Sequence, residues 1–171
     1  SCLCDYGNKE VCYECELMKW PALHPFLYSL FFQAFGFSEQ LAYHFATFLA
    51  SVTVVFVFLT AYLLTSNLKV SVASALILTL SPLHIIWSPT FTADLTFALA
   101  LSAFMLTVAL LIKKRDEHSL FLSYLVLLVA VQAKVESAVL FPIYFLLLLA
   151  IKPRISLKSV SYTHLRAHET E

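Results

Sequence analysis

The chain has 171 residues, of which 60% are apolar and 13% charged, with two glycines and a formal net charge of zero. That apolar share lies far above the usage of a soluble domain, and the balanced charge offers no basic surface for nucleic acid. Residues 40–68, 70–93 and 95–112 hold no Lys, Arg, Asp or Glu. A membrane-spanning helix needs about 20 such residues, so three successive runs predict an all-α, polytopic transmembrane helix bundle.

Residues 1–21 are polar and read as an extracytoplasmic loop. They carry Cys2, Cys4, Cys12 and Cys15. Outside the membrane the setting is oxidising, and two disulfides fit, in any of three pairings. The CxC and CxxC spacings also match zinc-ligand pairs, and thiols left single by truncation are a third reading. In each case the cysteines stiffen a loop rather than perform chemistry.

Residues 25–35 predict a short apolar helix, with Pro25 suited to its first turn and Gly36 just past its end. Eleven residues at about 1.5 Å each cannot cross a bilayer, so this helix lies along the surface or packs beneath it. Ser38 is placed to cap the next helix, and Glu39 suits its positive end. The first full span runs over 39–66. Asn67-Leu68-Lys69 reads as a tight turn, and 70–87 returns across the bilayer, with Pro82 kinking or ending the helix. Ser88-Pro89-Thr90 is a loop, 91–112 spans again, and "KKRDEHS", 113–119, is a charged loop. Residues 120–151 are too long for one straight span and short for two. They predict a hairpin of short helices, 119–133 and 137–151, turning at "AKVES". The module 22–159 thus holds about five spans or half-spans plus a surface helix.

Residue 1 is Ser rather than Met, and the tail "VSYTHLRAHET" is similar to the translation of a sequencing adapter. Residues 160–171 are therefore set aside as an artefact. The expectation is a fragment of a longer protein, inactive by itself.

Lys and Arg favour the cytoplasmic side. With the hairpin, Lys69, Lys113, Lys114, Arg115, Lys152, Arg154 and Lys158 share one side, against Lys9, Lys19 and Lys134, seven to three. A single last span would remove this bias. The hairpin therefore puts the N-terminal segment outside. The outer rim then collects the rare polar groups: Asp94, Lys134, Glu136, His24 and the loop carboxylates of Asp5, Glu10, Glu14 and Glu16. Ionisable groups at membrane level face a cavity or a partner. Blander readings stand beside this one. Lys134 and Glu136 suit a solvated turn, and Asp94 suits a helix N-terminus, where Thr90 and Thr92 could cap instead. His44 and His84 read as packing residues.

Three stretches resemble the membrane glycosyltransferases of the GT-C type, in their protein-mannosyltransferase-like, lipid-sugar-dependent branch. They are "HPFLYSLFFQAFGFSEQ", "LSPLHIIWSPTFTADLT" and "VQAKVES", within residues 22–151. The motifs are His24-Pro25-Phe26-Leu27-Tyr28, Gly36-Phe37-Ser38-Glu39, Leu80-Ser81-Pro82, Asp94 and Lys134. Two positions depart from the family. Phe26 replaces a second proline, and Tyr43 stands where an arginine is usual. The family's first span is missing here, and the catalytic acidic residue that normally follows it falls in the truncated part or in the outer loop, where Asp5 is the best-placed candidate, with Glu14 and Glu16 behind it.

The resemblance implies an inverting transfer of a hexose or pentose from a polyprenyl-phosphate donor to a protein or glycan acceptor at the extracytoplasmic face. Asp5 and Asp94 are the catalytic candidates. His24, Tyr43, Lys134 and Glu136 are the substrate-binding candidates, Lys134 facing the phosphate. A divalent ion, Mg or Mn, is left open, since some relatives need one and others do not. The partners are the lipid-linked donor, the acceptor and the bilayer, with no nucleic acid. The expected location is the plasma membrane of a prokaryote rather than the endoplasmic reticulum. A transporter or a non-catalytic membrane component are the rival classes. No internal repeat is seen, and the carboxylates stand near span ends rather than at mid-depth, as a transporter would have them.

Overall fold

The computed structural model describes residues 22–90 and 92–151, and the backbone of residues 4–6 and 9–11. Cys2, Cys12, Cys15, Glu14, Glu16, Lys19, Lys152, Arg154, Lys158 and the tail 160–171 lie outside these residues, as do the side chains of Cys4, Asp5, Lys9 and Glu10.

Strands β1 (Cys4–Tyr6) and β2 (Lys9–Val11) pair antiparallel, with Asp5 opposite Glu10. The sequence between them is Gly7-Asn8, a pair that favours a two-residue hairpin connection. This short ladder falls where only a loop was expected.

Helices follow in chain order. α1 is Leu23–Phe35, α2 Glu39–Thr65, α3 Leu68–Leu80, α4 Pro82–Trp87, α5 Ala93–Lys114 and α6 Glu117–Val131. A 3-10 turn, Val135–Val139, leads into α7, Leu140–Ile151. Two of these, α2 and α5, are long and apolar enough to cross a membrane. At about 1.5 Å per residue they reach roughly 40 and 33 Å, against a hydrocarbon core of about 30 Å. The apolar segments Leu68–Leu80, Glu117–Val131 and Val135–Ile151 are shorter.

Local chemistry explains the breaks. Gly36 ends α1 at φ 83°, ψ 165°, and its N–H bonds the carbonyl of Phe32. Ser66 turns left-handed, and the Asn67 side chain accepts from the N–H groups of Lys69 and Val70. The tight turn is therefore Ser66-Asn67, and α3 begins at Leu68. Pro82 has no N–H to give a helix interior but suits a first turn; the chain accordingly stops at Leu80 and restarts at Pro82. The charged loop shrinks to Arg115-Asp116. Lys113 and Lys114 finish α5, and Asp116 caps α6 by accepting from the N–H of Ser119. Ser38 and Thr92 stand at N-cap positions, but neither side chain makes a capping bond.

α5 is the axis of the bundle. Half of its apolar window is buried, against 17% for α2. Ala42, Ala46, Leu49, Ala50 and Thr53 form the buried stripe of α2. Its three alanines recur every four residues, which lets backbones approach closely in lipid. Ala46, Leu49 and Ala50 pack with Leu95 at the start of α5 and with Tyr28 of α1. α2 and α5 thus run side by side in the same direction. Ala100, Phe104, Val108 and Leu111 of α5 pack with Leu127 and Ala130 of α6 and Leu140 and Tyr144 of α7. Elsewhere large apolar side chains face outward, such as Phe48, Val55, Ile77 and Leu83. Such a surface suits lipid and not water. His44, expected to pack, is exposed, and His84 is half-buried.

Candidate active site

The start of α5, the end of α6 and the start of α1 meet at one end of the bundle. Leu23 opens α1, so its N–H has no partner within the helix. It donates to the carbonyl of Gln132, just past α6, at 3.1 Å. That carbonyl is itself unmatched at a helix C-terminus, so each terminus satisfies the other. The same contact explains why α1 begins at Leu23, two residues before the expected start.

One residue on, His24 Nδ1 and Thr96 Oγ1 are hydrogen-bonded at 2.8 Å. Thr96 is buried, with 1% exposure. Tyr28 sits one turn below His24, its ring centroid 4.7 Å from the imidazole, and is 2% exposed. Burial lowers the pKa of His24 and pushes the Tyr28 phenol up to about 12. At the rim both therefore favour their neutral forms.

Asp94 lies two residues before Thr96. Lys134 Nζ donates to Asp94 Oδ1 at 2.7 Å. The pair remains open to its surroundings, with side-chain exposures of 31% for Lys134 and 50% for Asp94. The hydrogen bond to Asp94, its charge and then that of Glu136 hold the lysine above its ordinary pKa. Ser137, buried, anchors this turn by donating to the carbonyls of Ala130 and Lys134.

The structure thus brings Asp94, Lys134 and His24 to one rim, with Glu136 two residues from the lysine. Tyr43 stands apart in this respect: its hydroxyl donates to Glu39 Oε1 at 3.2 Å, within the first turns of α2. Asp5 sits in β1, opposite Glu10. Thr96 and Gln132 were not singled out from the sequence. Among the described residues, no three His, Cys, Asp or Glu side chains gather in a metal-binding group. Asp94, with an ammonium already bound to it, does not fit a divalent ion.

The other end of the bundle has the opposite character. Lys69 at the start of α3 and Lys113, Lys114 and Arg115 at the end of α5 stand there, away from Asp94.

Residues 19–168 match the family model of the dolichyl-phosphate-mannose-protein mannosyltransferases. The chain belongs to that family. The match covers the whole described helical module and bears out the resemblance carried by the His24-Pro25, Leu80-Ser81-Pro82, Asp94 and Lys134 motifs. No curated protein and no solved structure matches the chain. Membership in the mannosyltransferase family makes this a membrane glycosyltransferase chain and implies a lipid-linked sugar donor.

Proposed function

We propose that this chain forms part of an enzyme that moves a sugar from a polyprenyl-phosphate donor to an acceptor hydroxyl at the extracytoplasmic face. The observation that carries this reading is the Asp94–Lys134 pair, at 2.7 Å on an accessible rim. A fixed cation at the edge of an apolar bundle suits a donor with a phosphate head and a lipid tail. The four basic residues at the far end favour the cytoplasm by the positive-inside tendency, which leaves the rim outside. On this account the enzyme sits in the plasma membrane of a prokaryote.

The reaction is a single displacement. The acceptor oxygen attacks the anomeric carbon, the bond from that carbon to the phosphate oxygen breaks, and the configuration inverts. The acceptor's proton passes to a carboxylate acting as general base. Asp5 is the candidate base, and Asp94 orients the reacting groups. The leaving polyprenyl phosphate carries growing negative charge, which Lys134 stabilises. Glu136 keeps the lysine's surroundings anionic until the donor arrives. His24 and Tyr43 are candidates for lining the sugar's path. The acceptor is a protein or glycan hydroxyl.

The test uses the complete protein in membranes, supplied with a radiolabelled polyprenyl-phosphate sugar and an acceptor. Lys134→Gln is expected to slow transfer by about 100-fold or more, the usual effect of losing a group that stabilises a developing anion. Lys134→Arg is expected to keep part of the rate. Wild-type transfer by Lys134→Gln overturns the role of Lys134, and transfer from a nucleotide sugar alone overturns the donor.

A further inference from the structure

We infer that His24 and Thr96 are positioning residues: the first turn of α1 is a clamp that sets the distance between Asp94 and Lys134. The inference deepens the reading of this rim as the transfer site and rests on it for its meaning in catalysis.

The contacts form a closed circuit. Leu23 N–H reaches the Gln132 carbonyl at 3.1 Å, and Gln132 lies two residues before Lys134. His24 Nδ1 meets Thr96 Oγ1 at 2.8 Å, and Thr96 lies two residues after Asp94. Adjacent residues of α1 thus hold both strands of chain that carry the ion pair, and the pair closes the ring at 2.7 Å. Ala130 and Ala133 pack in one cluster with Phe97 and Ala100 of α5, but without α1 the polar tie between Lys134 and Asp94 would be an accessible ion pair alone. Such a pair is weak by itself, because exposed side chains lose conformational freedom when held and water screens their charges. The His24–Thr96 hydrogen bond, half-buried and closed to water at its Thr96 end, and the backbone bond between two helix termini add ties that do not depend on charge.

Thr96 is suited to this task in another way. Its neighbours in kind, Thr53, Thr60 and Thr107, turn their hydroxyls back onto carbonyls of their own helices. The Thr96 hydroxyl instead reaches a side chain 72 residues away in sequence. Threonine at this point also fills buried space that valine fills equally well, so the hydroxyl is separable from the packing.

The experiment measures the reactivity of the Lys134 amine in the complete protein in membranes. A short pulse of acetic anhydride labels only the neutral amine, and mass spectrometry reads Lys134 against Lys113 at the far end as an internal reference. Asp94→Asn is expected to speed Lys134 labelling severalfold, because the lysine loses its anionic partner. Thr96→Val is expected to do the same, although it leaves both charges in place, and Thr96→Ser is expected to restore the wild-type rate. His24→Leu and His24→Asn form a second pair with the same expectation, which keeps the test decisive if Thr96→Val does not fold. Wild-type labelling in both Thr96→Val and His24→Leu overturns the clamp. Wild-type labelling in Asp94→Asn removes the ion pair and the clamp with it. Labelling needs no sugar transfer. A protein that shows the expected pattern but cannot use a polyprenyl-phosphate donor therefore loses the transfer reading and keeps the clamp.

Discussion

Lys134 donates to Asp94 at 2.7 Å across 40 residues of sequence, joining the turn after α6 to the first turn of α5. A lysine so placed is held in its charged form. Its ammonium stays available for an anion, yet an anion must share it with Asp94. The carboxylate therefore does two things at once. It keeps the cation charged, and it competes with the donor phosphate for the cation's hydrogen bonds.

The pH dependence of donor binding follows from this contact. The folded-state pKa of Lys134 is raised above its ordinary value of 10.5, first by the hydrogen bond to Asp94 and then by its charge. A raised lysine contributes stability that is fully present below the unfolded value and is lost as pH rises through the folded value. Donor binding in the wild-type protein is expected to hold through neutral and mildly alkaline pH and to fall only above the ordinary lysine range. In Asp94→Asn the alkaline fall moves to lower pH. Titrating the binding of a polyprenyl phosphate against pH in both proteins checks this. An identical alkaline limb would mean that the contact does not govern the lysine's charge.

Gly36 tests the turn that lays α1 against α2. Its φ of 83° with ψ of 165° lies in a region open to glycine alone. An added Cβ would meet no atom within 4 Å. The penalty of Gly36→Ala is therefore backbone strain and not a clash, and it is expected to destabilise the protein by about 1–3 kcal/mol. The turn sets the stacking of Phe31 on Phe45, with centroids 4.0 Å apart, so the strain is expected to loosen that contact too. Thermal unfolding of the detergent-solubilised protein checks it, and an unshifted midpoint would show that the turn relaxes freely.

Much of the helical layout was legible because its punctuation is local. Two of the three charge-free runs marked the long helices α2 and α5, whereas the expected span over 70–87 is broken at Pro82 into the short helices α3 and α4, and Gly36 closed α1. The hairpin turning at 133–137 was legible from the length of the last apolar stretch and from the sidedness of lysine and arginine, with α6 ending at Val131, two residues before the expected end. The start of α1 was not, because the partner of Leu23 N–H is a carbonyl far along the chain. Asp94 and Lys134 stood out as rare charges at span ends, but their pairing is a long-range contact that no spacing encodes. Thr96 was invisible for a different reason. Thr47, Thr53, Thr60, Thr65 and Thr79 all satisfy their hydroxyls on carbonyls four residues back. A threonine in an apolar helix looks the same in sequence whether its hydroxyl turns inward or reaches across.

Asn67 carries the connection between α2 and α3. Its side chain accepts from Lys69 N–H at 2.9 Å and Val70 N–H at 3.4 Å, satisfying donors that the start of α3 would otherwise leave bare. Asn67→Ala is expected to destabilise the protein by about 1 kcal/mol, and Asn67→Asp is expected to stay near wild type. A denaturant titration of the solubilised protein distinguishes the two. Equal midpoints for Asn67→Ala and wild type would mean that water replaces the cap at this end of the bundle.

The proposed sidedness makes the last prediction. Glu136 follows Lys134 in the turn after α6, and Arg115 follows α5 at the far end, in the left-handed conformation that closes the helix. Both are exposed, so each tolerates a small polar replacement without disturbing the core. In the complete protein with its own cysteines replaced by serine, Glu136→Cys is expected to react with a membrane-impermeant maleimide in intact cells. Arg115→Cys is expected to react only after permeabilisation. The bundle direction follows from α2 and α5 running side by side and from α6 returning antiparallel through the two-residue connection at 115–116. Labelling of both sites from one side would break the assignment of opposite ends to opposite faces. Labelling with the two sides exchanged would keep the bundle and move the Asp94–Lys134 rim to the cytoplasm, where an extracytoplasmic transfer could not occur.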